Sequence, residues 1–238
     1  MRVLLGSGGF RTPERTAVLA AQMRSFFGSI RRLLFVPYAA ADYDANLESM
    51  VQRGLNAGYD LDGIHHHADP IAAVRQAEGL FVGGGNTFRL LDGLYRHKLL
   101  EPIHDRVRDG LPYFGVSAGC NVACPTMKTT NDMPIVHPPS FKAIGLVPFQ
   151  VNAHYFEGQF FIRMGETYVP HFGETRDERI REFHEMNDTP VVGLWEGGIL
   201  RVEAGSVDLI GAPARVFRKG REAVDVRPGG GLDALLRG

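Results

Sequence analysis

Short continuous apolar runs alternate with stretches of helical period through the first half of the chain. The runs are Arg2-Val3-Leu4-Leu5, "RRLLFVPYA" from Arg31, "GLFVGGG" from Gly79 and "LPYFGV" from Leu111, with a weaker one in "LDGIHHH" from Leu61. Runs this short, apolar at successive positions and bounded by glycine or proline, read as strands buried on both faces. Between them the pattern predicts helices over Thr12–Phe27, Asp42–Ala57, a short stretch from Pro70, Thr87–Tyr95 and Glu101–Asp109, with Asp42 a suitable N-cap. Repeated strand–helix alternation implies right-handed crossovers and an α/β fold, a mostly parallel sheet with helices on both faces.

The pattern changes after residue 125. "PTMKTTNDMPIVHPPSFKAIGLVPFQVNAHY" is rich in proline and polar residues and predicts loops and short strands over the site. "RDERIREFHEM" (Arg176–Met186) is helical, and "PVVGLW", "GILRVE", "VDLIG" and "ARVFR" predict a short antiparallel extension of the sheet at the C-terminal end. No internal repeat or linker divides the sequence, so residues 1–238 are read as one domain.

Composition narrows the function classes. The 238 residues are 44% hydrophobic and 22% charged with a formal net charge of -1, which is globular and lacks the basic block expected of a nucleic-acid or anionic-membrane binder. The two cysteines, Cys120 and Cys124, are spaced i, i+4 and suit neither a disulfide framework nor a metal site. No signal peptide or 18-residue apolar run precedes the first strand, so a reducing, cytoplasmic setting is expected.

In such folds function sits at the carboxyl ends of the strands. The two glycine-marked ends are "VGGGNT" and "GVSAG". The second places Ser117 in a G-x-S-x-G pattern at a sharp strand-to-helix turn, which exposes a nucleophile and aims helix N–H groups beside it. Ala118 N–H and the Gly83-Gly84-Gly85 loop, Gly84 or Gly85 in particular, are candidate oxyanion donors. The glycine loop lacks the lysine of a phosphate-binding P-loop. A serine nucleophile also needs a base and an acid to orient it. Nine histidines compete for the first role. His65-His66-His67 would alternate faces on a strand and could not share one metal ion, so no metal is expected there. His154, where "VPFQVNAHY" leaves an apolar strand, stands alongside His137 and His171.

Five stretches then carry a resemblance: "GGGNTFRLL", "GVSAGCNVA", "TTNDMPIVHPPSF", "LVPFQVNAHY" and "GETRDERIRE", in this order. Together they resemble the peptidase E family of serine peptidases, the α-aspartyl dipeptidases. The resemblance implies a three-layer fold related to class I glutamine amidotransferases, with serine in place of their cysteine nucleophile. It implies no cofactor and a small Asp-Xaa dipeptide as substrate. By the same resemblance Ser117 matches the nucleophile, His154 the base, and Asp132 in "TTNDMP" the usual triad acid. A competing assignment gives the acid role to Glu196 in "GLWEGG"; Asp132 is taken ahead of it.

Recognition of an aspartate side chain calls for a bidentate cation, and Arg176 is the candidate. Thr175 and Asn86 are grouped with it, and Glu174 or Asp132 would accept from the substrate amino group. The chain departs from the family in reading "NAHYFE" and in carrying an aromatic insert, Gly158–Phe172, that suggests a lid or a dimer contact. Monomer and homodimer both remain open. Two rivals are a cyanophycinase-like hydrolase with the same serine chemistry and, in a different class, a non-catalytic binding protein of this fold.

Overall fold

The computed structural model describes residues 1–237. In chain order the elements are β1 (Arg2–Gly6), α1 (Pro13–Phe27), β2 (Arg32–Val36), α2 (Tyr43–Gln52), β3 (Asp60–Gly63), α3 (Pro70–Gln76), β4 (Leu80–Val82), α4 (Thr87–Arg96), α5 (Leu100–Arg108), β5 (Tyr113–Val116) and α6 (Ala118–Val122). Then follow β6 (Gln150–Tyr155), β7 (Phe161–Met164), β8 (Thr167–Pro170), α7 (Arg176–Met186), β9 (Val191–Trp195), β10 (Ile199–Glu203), β11 (Ser206–Ile210), β12 (Ala214–Phe217) and β13 (Val224–Val226).

The main sheet runs β11-β10-β1-β5-β4-β2-β3, and the five strands from β1 to β3 in that order are parallel. Their residues are apolar at successive positions because both faces are covered. Leu4, Leu33, Phe35, Phe81 and Phe114 face a core built with Leu19, Met23, Phe26 and Phe27 of α1. The alternate residues Val3, Leu5, Leu34, Val36, Leu80, Val82 and Tyr113 face a second core with side chains of α3, α4, α5 and α6. The result is three layers. Helix starts follow local chemistry: Thr12, Asp42, Asp69 and Asn86 each cap a free N–H of the helix behind them.

Two expectations change. Of the four C-terminal runs, only "GILRVE" and "VDLIG" extend the main sheet, as β10 and β11, both antiparallel. "PVVGLW" and "ARVFR" become β9 and β12 of a separate sheet ordered β13-β12-β9-β6, in which β6 and β9 are parallel. A tight reversal at Gly197-Gly198, closed by Gly198 N–H to Trp195 O (2.9 Å), carries the chain from one sheet to the other. Strand β3 ends at Gly63 and the histidines continue in a 3-10 turn (Ile64–His66). The face alternation assumed for them is therefore absent. His65 Nε2 and His66 Nε2 both lie against Asp44 Oδ1, at 2.9 and 2.7 Å.

The insert forms the two-stranded hairpin β7–β8, with Phe161, Met164 and Tyr168 largely exposed. Among the described residues no helix is long and apolar enough to cross a membrane.

Candidate active site

Strand β5 lies in the middle of the main sheet, so the turn after Val116 opens at its carboxyl edge between β1 and β4. Ser117 occupies that turn at φ 54°, ψ −110°, a conformation that a residue with a side chain adopts only under strain. The strain is held by Ser117 N–H donating to Gly6 O (2.9 Å) and by Cys120 N–H and Asn121 N–H donating to Ser117 O. Gly119 lets α6 pack this close: a Cβ there would lie 2.2 Å from Val82 O.

The second left-handed residue at the site is His154, at φ 55°, where the β6–β9 register shifts between Ala153 and Tyr155. Such a bulge re-aims one side chain out of a sheet. It brings His154 Nε2 to 3.0 Å from Ser117 Oγ. Across the ring, His154 Nδ1 is 3.1 Å from Glu196 Oε1, at the β9–β10 reversal. A carboxylate can only accept, so Nδ1 carries the proton and Nε2 is left as the acceptor for the serine hydroxyl. Arg15 NH1 holds the other Glu196 oxygen at 3.4 Å and also reaches Gly9 O.

On the far side of Ser117, Gly83 N–H donates to Val36 O and Asn86 N–H to Ala39 O. The N–H groups of Gly84 and Gly85 between them go to no backbone acceptor among the described residues. An ideal Cβ on Gly84 would sit 3.2 Å from Ser117 Cβ, so that loop abuts the serine. Ala118 N–H, at the first helical position of α6, is likewise without an intrahelical acceptor.

The loop Ser7-Gly8-Gly9 after β1 was not singled out in the sequence, yet it builds much of the site. Buried Ser7 donates its hydroxyl to Leu194 O (2.7 Å) and accepts from His154 N–H (2.8 Å), so it fixes the bulge that aims the ring. Gly8 O accepts from Gly197 N–H, and a Cβ on Gly8 would fall 2.5 Å from His154 Cε1. The signal was available: "GSGG" is a third glycine-marked strand end beside β5.

Asp132 is not against His154. Its Oδ2 accepts from Thr87 N–H (2.7 Å), Thr87 Oγ1 (2.6 Å) and Thr130 Oγ1 (3.1 Å), which locks the 130–132 loop onto the first turn of α4. Of the two acids expected to serve the base, the structure brings Glu196 to His154 Nδ1 and sets Asp132 at the start of α4. Asp132 instead supports the helix start that follows the Gly84-Gly85 loop.

Three of the grouped substrate residues are also committed elsewhere. Asn86 caps α4 and donates to Met133 O. Thr175 and Glu178 form the capping box of α7, and Glu174 pairs with Arg179 at 3.5 Å. Arg176 differs. It is half-buried, lies over the Phe156 ring (5.3 Å) and donates from NH1 to Asn131 Oδ1 (2.5 Å). Asn131 in turn donates to Ala153 O, next to His154 in the chain (2.7 Å). Arg176 Nε is buried with no partner among the described residues, and burial, with Arg179 as a lesser cause, lowers the Arg176 pKa from the ordinary value. Among the described residues no carboxylate pairs with it.

A cavity of about 290 Å³ opens over Ser117, His154 and Glu196, walled by Gly8, Gly9, Gly84 and Gly85 and by one side of α2. Larger surface depressions occur elsewhere, but their linings lack Ser117 and His154 and hold no comparable chemistry. Cys120 is fully buried and burial raises its thiol well above the usual range, with Cys124 adding to the effect; Cys120 is helix packing. His137 stands near Phe141, and His171 accepts from Gly173 N–H; neither belongs to the Ser117 cavity.

Comparison with known proteins identifies the family of the chain. The model of peptidase family S51 matches residues 3–210. Peptidase E of Streptomyces coelicolor is 50% identical over 206 residues, covering 86% of this chain and 82% of that protein. A probable alpha-aspartyl dipeptidase of Drosophila melanogaster is 42% identical over 220 residues, 91% of this chain and 89% of its own. The crystal structure of a peptidase from an acI-B1 actinobacterium superposes with a TM-score of 0.67 at 17% identity, covering 97% of this chain and 96% of the other. A putative peptidase E from Listeria monocytogenes does so at 0.61 and 19%, covering 95% and 98%. The family model over residues 3–210 and relatives 42–50% identical over most of the chain are decisive: the chain belongs to peptidase family S51.

Proposed function

We propose that the protein is a cofactor-free serine dipeptidase that hydrolyses Asp-Xaa dipeptides. The observation that carries the reading is the aligned series Ser117 Oγ, His154 Nε2 (3.0 Å) and His154 Nδ1, Glu196 Oε1 (3.1 Å). Ser117 attacks the scissile carbonyl while His154 takes its proton. Glu196 holds the ring in the required tautomer and stabilises the imidazolium that forms. The free N–H groups of Gly84 or Gly85 and of Ala118 receive the developing oxyanion, where each good donor contributes about 3 kcal/mol. The attack forms the bond from Ser117 Oγ to the carbonyl carbon; the tetrahedral intermediate then collapses to an acyl-enzyme as the C–N bond breaks and the amine leaves with the proton from His154. Water, activated by the same histidine, then releases the aspartyl group.

Arg176 reads the aspartate side chain. The support is a half-buried guanidinium that has, among the described residues, an unpartnered Nε and no carboxylate paired with it. Asp132 acts at one remove, by holding the start of α4 behind the oxyanion loop. The name of the Drosophila melanogaster relative, probable alpha-aspartyl dipeptidase, agrees with this substrate class.

The test is hydrolysis of aspartyl p-nitroanilide and Asp-Leu by wild type and Ser117→Ala. Wild-type turnover with a loss of at least a thousandfold in the variant is expected. Equal turnover by the two proteins rejects the serine mechanism. Turnover of β-Asp-Arg but not Asp-Leu would move the substrate to the cyanophycinase-like reading.

A further inference from the structure

The cavity over Ser117 has a wall that the proposed mechanism does not use. Asn46, Ser49, Met50 and Arg53 line it together. They recur at i, i+3, i+4 and i+7, so α2 turns one stripe toward the cavity. Three of these four residues are polar: Met50 is buried, Asn46 and Ser49 are half-buried, and Arg53, like Arg11, is exposed to solvent. Asn46 Oδ1 is buried with no hydrogen-bond partner among the described residues, and it lies beside the loop at Gly83, where an ideal Cβ would meet it at 3.4 Å. Arg53 is the C-cap residue of α2, where a cation complements the helix dipole.

Opposite the helix, the cavity is lined by Arg11 from the loop after Gly8-Gly9. Neither Arg11 nor Arg53 has a side-chain acceptor or an ion pair among the described residues. The one carboxylate in the lining, Glu196, is already held by His154 and Arg15. The lining therefore offers two guanidinium groups unpaired among the described residues, an amide and a hydroxyl in the cavity that also holds Ser117. Arg176 does not line this cavity; it meets the site from the Asn131 side.

We infer that Arg11 and Arg53, with Asn46 and Ser49 between them, form a carboxylate-binding subsite that holds the free C-terminal carboxylate of the residue released. This rests on the dipeptidase reading above. It gives a positive reason for preference for dipeptides: in a longer peptide the same position carries a neutral amide, which cannot form the paired, charge-assisted contact.

The experiment is calorimetric binding of Asp-Leu and Asp-Leu-amide to Ser117→Ala, and to the same protein with Arg53→Ala, Arg11→Ala or both. Expected is a roughly tenfold or greater preference for the free acid in Ser117→Ala, which falls toward one when both arginines are removed. Equal affinity for acid and amide in Ser117→Ala overturns the subsite, as does a preference that survives the double replacement, or no detectable binding of either ligand. Equal weakening of acid and amide also overturns it, since the arginines would then read the aspartate side chain common to both. The dipeptidase reading fails separately: if wild type cleaves neither compound but the arginine-dependent acid preference is present, the subsite stands and the reaction assignment falls.

Discussion

Replacing Gly8 by alanine tests the position of His154 without altering any group proposed to take part in the chemistry. Two effects are expected. Gly8 has φ +117°, so alanine there is strained, at a cost of about 1–3 kcal/mol in stability. Its Cβ would also lie 2.5 Å from His154 Cε1 and 2.8 Å from Nε2, where van der Waals contact needs about 3.5 Å. The ring must retreat by roughly 1 Å, which breaks its 3.0 Å contact with Ser117 Oγ. A misplacement of this size costs about a hundredfold in rate.

Gly110→Ala provides the comparison. Its φ is +110°, nearly the same strain, but nothing lies within 4 Å of a Cβ there. Thermal melts and kcat/KM on aspartyl p-nitroanilide are to be measured for both variants below their melting transitions. Similar losses in Tm are expected, with catalysis reduced about a hundredfold in Gly8→Ala and less than threefold in Gly110→Ala. Gly8→Ala retaining wild-type kcat/KM would refute the placement of the His154 ring, and equal catalytic losses would show strain rather than collision to be the cause.

Further outcomes follow from the same geometry. Glu196→Gln keeps the shape but removes the charge 3.1 Å from His154 Nδ1. Coulomb attraction at that distance is about 1.3 kcal/mol in a water-like dielectric and about 5 at the protein surface value, and because both side chains are nearly half exposed the low end applies, so kcat falls about tenfold; a loss under threefold would move the acid role away from Glu196. Arg176→Ala should reduce the preference for aspartyl over leucyl substrates by about 2 kcal/mol or more, and an unchanged preference would remove it from recognition. Burial raises both thiols, Cys124 to about 12, so iodoacetamide at pH 8 should leave native activity intact; rapid inactivation would mean that one cysteine is open to the site.

How far the chain can be read without coordinates differs by element. The parallel strands were legible because both of their faces are covered, which makes them continuous apolar runs. The tail was not. β9 and β10 have similar composition, and only the reversal at Gly197-Gly198 sends one to each sheet. The histidine run misled for a related reason, since the chain leaves β3 at Gly63 and the 3-10 turn places His65 and His66 on one carboxylate.

By itself the sequence determined the α/β class, the strand-to-helix turn at Ser117 and the family, because these depend on local period, glycine placement and ordered motifs. The choice between Asp132 and Glu196 was beyond it. Both are acids in motifs after the nucleophile, and only the fold reveals that Asp132 spends its carboxylate on Thr87 while Glu196 meets the ring. The same holds for the Ser7-Gly8-Gly9 loop and for the α2 stripe ending at Arg53. These groups are far from Ser117 in the chain and reach it because parallel strands end at one edge, where a sheet gathers side chains from segments that no short-range pattern connects.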